Sequence, residues 1–322
     1  MIVRWGLGAL GDVLAELGAE RPFLVASPRW AALELPVEPT GAWREVPSDR
    51  IPEAAAWAAG ADALLAVGGG SAIDLAKAIS AETGLPLVSV PTTYAGAEWT
   101  PYFGVRDSAR RLRGGGAGAR RAAAVYEPEL TLDLPRGTTG GTAMNALAHC
   151  AEALYVQGRN AEADEHALTG ARLIGTWLPR VLEDGRDREA RTRLLEGAMH
   201  AGAALGGSML ALAHALAQVI GGRYGLPHGT LNGICLPPAL RFNASLAPDA
   251  VRRFAEALGA DDPAARVEEL AALSGPTRLH DVGVPHGDLA ELAAAAAERP
   301  GNLANPRPAT AAEIEDLLRS VW

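Results

Sequence analysis

ADALLAVGGGSAIDLAKAIS, residues 61–80, decides how the first half of this chain folds. An apolar run of strand length ends in three glycines, and a helix-forming run starts at once. Glycines at 68–70 let the backbone approach a pyrophosphate closely. The N-terminus of the following helix aims N–H groups and a partial positive charge at it. Ser71 is placed to cap that helix, with Asp74 three residues on, as in a capping box. Lys77, the only lysine of the chain, lies on the same helix, where it either reaches a phosphate or sits on a solvated face. There is no GxxxxGK[ST], so this is not a nucleotide-hydrolysing phosphate loop. A strand–turn–helix joint without a ligand stays open as the alternative.

Around this stretch, MIVRW, PFLVAS, LPLVSVPTT and AAAVYEPELTLDLP supply further strand-like runs, and GDVLAELGA reads as an amphipathic helix. Strand–helix–strand alternation with nearly continuous apolar strands implies a parallel sheet covered on both faces. PTTYAGAEWTPY, residues 91–102, falls where a loop leaves the carboxyl edge of a neighbouring strand, the place where open α/β sheets bind ligands. There Thr92, Thr93 and Tyr94 offer hydroxyls. Gly6-Leu7-Gly8-Ala9-Leu10-Gly11 matches GxGxxG literally, but the next strand ends at Ser27, where the dinucleotide fingerprint wants an acid; it reads as a tight turn. RGGGAGARR, 113–121, reads as a surface loop. After LPRGTTGG, 134–141, alanine and leucine recur at helical spacing. The expected organisation is an α/β dinucleotide-binding domain over 1–135 and an all-helical catalytic domain over 136–322.

Of the 322 residues, 48% are hydrophobic and 21% charged, as in an ordinary globular protein. A net charge of -9 argues against nucleic acid and anionic membrane as partners, since both need a dense basic surface. Cys150 and Cys235 give no disulfide framework and read as buried small hydrophobes of a reducing compartment. The N-terminus lacks a basic segment followed by an apolar core, and alanine-rich runs are broken before membrane-spanning length. The expectation is a cytoplasmic protein acting on a small molecule.

Four segments, AVGGGSAIDLAKAI, PTTYAGAEWTPYFG, GGTAMNALAHCAEALY and HALAQVIGGRYGLPHG, occur in the order of the iron-containing alcohol dehydrogenase superfamily. Within it the chain most resembles maleylacetate reductases, through PTTYAG, the run from Met144 to Cys150, and Asn305-Pro306-Arg307-Pro308. Residues 28–60 resemble it least and look shortened. The resemblance implies a dehydroquinate synthase-like fold, an active site in the interdomain cleft, and a homodimer. It places Gly69, Gly70 and Ser71 on the pyrophosphate of NADH or NADPH, and Asp74, Thr92, Thr93 and Tyr94 around the cofactor. Ser27, lacking a carboxylate, leaves both cofactors open. The implied reaction is reduction of maleylacetate to 3-oxoadipate in aromatic compound degradation.

Metal-binding members of the superfamily use an aspartate and three histidines. Asn145 stands at the aspartate position, and His149, His214 and His228 at the histidine positions. Replacing the carboxylate by an amide removes a charge and a hard ligand. The metal-free reading therefore leads over a weak zinc or iron site on the three histidines. As acids or anion-binding groups, His149 and His228 come first and His214 next; His166, His200, His280 and His286 read as ordinary. Gln218 stands where relatives carry a further catalytic-site histidine, Ala213 and Ala215 replace a histidine and a lysine, and Thr230 and Asn232 replace an acid and a histidine. The pocket is thus less cationic than a dianion needs. Two alternatives follow: a divergent reductase of another enone, ketone or aldehyde in a biosynthetic pathway, or a non-catalytic dehydrogenase-like protein.

Overall fold

The strand and helix expected over residues 61–80 are present in a computed structural model that describes residues 1–107 and 112–322, by backbone alone at 105–107 and 112–114. The chain divides into two units, Met1–Thr131 and Leu132–Trp322. Among the described residues the first unit holds strands β1 (Ile2–Trp5), β2 (Pro22–Ala26), β3 (Gly41–Trp43), β4 (Ala63–Gly68), β5 (Pro86–Pro91), β6 (Phe103–Asp107), β7 (Leu112–Gly116) and β8 (Arg120–Tyr126). Its helices are α1 (Leu10–Glu16), α2 (Ile51–Trp57) and α3 (Gly70–Thr83). Six strands form one sheet in the order β1-β8-β5-β4-β2-β3, every pairing parallel.

β2 and β4 are buried at every position, because each face of the sheet has its own apolar cover. Leu65 and Val67 join Leu10, Val13 and Val125 on one side, while Leu64 and Ala66 join Ile73, Leu75 and Ile79 on the other. That is the period of two of a strand with both faces covered. From β2 the chain moves outward to β3, then returns to β4 on the far side of β2 and steps away through β5 to β8. Connections thus leave β2 and β4 in opposite directions, and the carboxyl ends of these two strands form the topological switch point where such sheets take ligands.

Two expectations change. The stretch 113–121 is a loop only at 117–119: β7 pairs antiparallel with β6 up to Gly116, and β8 begins at Arg120. The strand expected through AAAVYEPELTLDLP stops at Tyr126 and gives way to a 3-10 turn over Pro128–Thr131, since a proline has no N–H for a ladder. Residues 28–60 carry β3 and α2, neither of which stood out in the sequence. Gly6 does start a tight turn, with φ 86° and a 3-10 turn over Leu7–Ala9, after an edge strand.

In the second unit the described residues are helical: α4 (Arg136–Ala153), α5 (Ala161–Glu183), α6 (Arg188–Ser208), α7 (Leu212–Tyr224), α8 (His228–Asn243), α9 (Pro248–Leu258), α10 (Pro263–Ala272), α11 (Leu289–Ala297), α12 (Pro300–Leu303) and α13 (Ala311–Ser320). Polar side chains start several of them. Asn160 accepts from Ala163 N, Asp187 from Ala190 N, and Thr310 with Glu313 forms a capping box. α4 is the central helix, buried without interruption from Ala143 to Ala153 and packed on α5, α6, α7 and α8. No single helix among the described residues is long and apolar enough to cross a membrane. Cys150 and Cys235 are free and buried, and burial pushes both thiols up.

Candidate active site

In the first unit the glycine turn closes the switch point. Gly68 has φ 152°, and a Cβ there would lie 2.7 Å from that of Ala72. A Cβ on Gly69 would meet Thr93 Cγ2 at 2.8 Å. Only glycines fit this cradle, and the ladder continues from Gly68 O to Thr92 N at 3.0 Å, which brings residues 92–94 beside them. Thr92 and Tyr94 are buried and Thr93 is half-buried.

The cap of α3 differs from expectation. The N-cap is Gly69 and no side chain caps the helix; Ser71 is already its second residue and is exposed. No protein acceptor meets the N–H groups of Gly70 and Ser71 among the described residues, so the helix start stays open to an anion. Asp74 makes no capping box. Its Oδ1 accepts from Lys77 Nζ at 3.0 Å and its Oδ2 from Gly104 N at 3.1 Å. Lys77 is neither solvated nor free for a phosphate: it is 1% exposed and also donates to Thr100 Oγ1 and the Tyr102 carbonyl.

In the second unit His149 from α4, His214 from α7 and His228 from α8 come together. The rings of His149 and His214 stack with centroids 4.8 Å apart, and His228 lies 5.4 Å from His214. A close approach sets His228: a Cβ on Gly229 would lie 2.1 Å from Gly141 O, so α8 starts against the backbone of α4. Asn145 is one turn before His149, with Nδ2 3.4 Å from His149 Nε2. Its Oδ1 accepts from Asn232 Nδ2 at 2.7 Å. Burial, then the neighbouring His214 and His228, hold the His149 imidazole well below its ordinary range. It is a neutral group in this setting.

Glu152 was not singled out by sequence, and it organises the site. It is fully buried, and its carboxylate accepts from Ala211 N (2.8 Å), His214 N (3.2 Å) and His214 Nδ1 (2.7 Å). α7 has no capping side chain of its own; Glu152 supplies the acceptor from another helix and fixes the ring with the same oxygens. With Nδ1–H given to Glu152, His214 Nε2 is buried without a partner and is the nitrogen left for chemistry. The signal was present in spacing: Asn145, His149 and Glu152 fall at i, i+4 and i+7 of one helix face. Gln218, one turn beyond His214, accepts from Arg299 Nη2 at 2.6 Å. Thr230 lies in the first turn of α8 with its backbone N near Gly141. Away from the cluster, His166 and His200 pair through their Nδ1 atoms at 2.8 Å.

The donor set does not fit a metal as arranged. The planes of His149 and His214 differ by 16° in a stacked pair, so their in-plane lone pairs run side by side, whereas zinc needs them to meet about 2.1 Å from each nitrogen. Among the described residues no three His, Cys, Asp or Glu groups are placed to hold a metal.

An open glycine turn on a parallel sheet, followed by a helical unit with an imidazole cluster, defines a dehydrogenase-type oxidoreductase. The chain belongs to the iron-containing alcohol dehydrogenase family: residues 3–123 match the family model "Iron-containing alcohol dehydrogenase", and 139–322 match "Fe-containing alcohol dehydrogenase family, C-terminal". It is 39% identical to a maleylacetate reductase of Burkholderia cepacia over 82% of this chain and 74% of that protein. With a maleylacetate reductase of Pseudomonas knackmussii it shares 36% over 98% and 93%. In structure it resembles maleylacetate reductase from Agrobacterium tumefaciens, with TM-score 0.91 and 30% identity over 100% of this chain and 95% of that one. An iron-containing alcohol dehydrogenase from Corynebacterium glutamicum gives the same TM-score and identity over 100% and 94%.

Proposed function

We propose that the protein is an NADH- or NADPH-dependent maleylacetate reductase, which adds hydrogen across the carbon–carbon double bond to give 3-oxoadipate in the breakdown of aromatic compounds. The observation that carries this reading is His214, held through Nδ1 by the buried carboxylate of Glu152 with Nε2 unengaged, inside a cluster of three imidazoles. The open N-terminus of α3 and the Gly68–Gly69 cradle suit a dinucleotide pyrophosphate. When bound, the reduced nicotinamide supplies a hydride.

The balance is maleylacetate, NAD(P)H and one proton to 3-oxoadipate and NAD(P)+. Hydride arriving at the conjugated carbon drives the double-bond electrons toward the ketone oxygen, and the resulting enolate takes a proton at carbon. His214 and His228 serve this step: a protonated Nε2 of His214 stabilises the developing oxyanion and delivers the proton, while Glu152 offsets the imidazolium charge and fixes its direction. His149, kept neutral by burial, acts as a hydrogen-bonding wall with Asn145 and Asn232. No step is routed through a metal.

The test is NADH and NADPH oxidation with maleylacetate, on protein stripped by chelator and dialysed. Turnover that survives stripping supports the proposal. No turnover, with or without restored iron or zinc, sinks the substrate assignment; turnover that returns only with metal sinks the metal-free mechanism.

A further inference from the structure

We propose that Arg299, oriented by Gln218, binds a carboxylate of the substrate and makes this site selective for anionic oxo acids. The inference rests on the reductase reading above and names the class of molecule that it takes.

Arg299 precedes α12 and is half-buried. Its partner within the protein is the neutral amide of Gln218, whose Oε1 accepts from Nη2 at 2.6 Å, and its Nε is buried with no acceptor. Other arginines of this unit carry acids, Arg223 with Asp288 and Glu291 and Arg307 with Glu313. Among the described residues no carboxylate reaches Arg299. A half-buried cation without a counter-charge loses hydration, and a bound carboxylate restores that loss through charge-assisted hydrogen bonds.

Gln218 completes the receptor. With Oε1 given to Arg299 it presents only its N–H groups, so both side chains offer donors and neither offers negative charge. It follows His214 by one turn, about 5.4 Å along the same face of α7, which sets a carboxylate within a few bonds of the proton donor. Packing fixes the place of Arg299. A Cβ on Gly301 would lie 2.6 Å from Ala211 O and 3.5 Å from Ala215 Cβ, so α12 rests directly on the start of α7. The cation that Ala215 does not supply thus arrives from Arg299, the residue that caps α12.

Two variants test the anchor. Arg299→Gln should raise KM for maleylacetate at least about thirtyfold with kcat within about threefold, the pattern of lost uniform binding, and leave NADH binding by fluorescence unchanged. Gln218→Glu supplies Arg299 with an internal carboxylate; it should raise KM similarly while its thermal unfolding stays that of the wild type, which guards against a misfolded variant. Calorimetric binding of 3-oxoadipate reads the same site without turnover. Loss of that binding in both variants, with a wild type that binds 3-oxoadipate but does not reduce maleylacetate, would uphold the carboxylate anchor and remove the reductase reading. Wild-type KM and wild-type 3-oxoadipate affinity in both variants would overturn the anchor.

Discussion

At the head of α3 the chain offers backbone N–H groups and small side chains; at the head of α7 it offers ring nitrogens backed by a buried carboxylate. Both helices start without a capping side chain of their own. α7 takes its counter-charge from inside the protein, where Glu152 accepts from Ala211 N and His214 N. α3 takes none, and among the described residues no protein acceptor meets the donors of Gly70 and Ser71. The same unpaired donors and the same partial positive charge therefore serve two ends. An open helix start is a place to bind, and one closed by a buried carboxylate is a place to hold a side chain still.

Breaking the closed helix start should cost most. Glu152→Ala would leave two backbone N–H groups and a ring N–H buried without acceptors, and removing one partner of such a buried charged network costs about 3–5 kcal/mol. A shift of that size is readable in the denaturant midpoint. Glu152→Gln keeps the shape but replaces the anion by an amide. The ring is then neither charge-compensated nor held in one tautomer, and kcat should fall at least about a hundredfold with KM nearly unchanged. A Glu152→Gln enzyme of normal kcat would reduce Glu152 to a helix cap.

These two helix starts were unequally legible. The α3 site is one continuous run, so strand, glycines and helix could be read from neighbouring letters, and only the cap was misplaced. Ser71 is a capping residue by type, but the strand runs into the helix so directly that Gly70 is already helical, and Asp74 is spent on Lys77 and Gly104. Lys77 could not be read as buried because its partners, Thr100 and the Tyr102 carbonyl, come from a separate loop. The α7 site draws on residues 145–299. Its three histidines were found through resemblance, whereas Glu152 sits in an alanine-rich run where an acid looks like any solvated helix residue. Arg299, 81 residues from Gln218, has no local signature.

The open helix start sharpens the comparison with a smaller effect. Gly69→Ala places a Cβ 2.8 Å from Thr93 Cγ2. Overpacking of this kind costs about 1–3 kcal/mol, or roughly ten- to hundredfold in affinity if it falls on the bound state. The Kd for NADH should rise by that factor while the kcat of saturated enzyme holds. Thr93→Ser removes the opposing methyl, so the double variant should recover most of the loss. Failure to recover would mean that Gly69 is needed for its backbone shape and not for close approach.

The smallest effect separates the two sites by pH. His149 is depressed by burial and by the adjacent His214 and His228, while its unfolded value is about 6.5. The folded protein therefore binds fewer protons than the unfolded chain as pH falls through that value. Its neutral imidazole contributes stability that is present above about pH 6.5 and is lost as pH falls toward the depressed folded value, at up to about 1.4 kcal/mol per pH unit. His200, lowered by burial and by His166, acts in the same direction, so the wild-type slope alone does not identify His149. His149→Gln should flatten the fall in unfolding free energy between pH 6.5 and 5 by up to that one-proton slope, and a variant with the wild-type slope would show that His149 takes up its proton without strain. Gly69→Ala should leave this slope untouched, because the backbone N–H donors at the head of α3 do not titrate in that range.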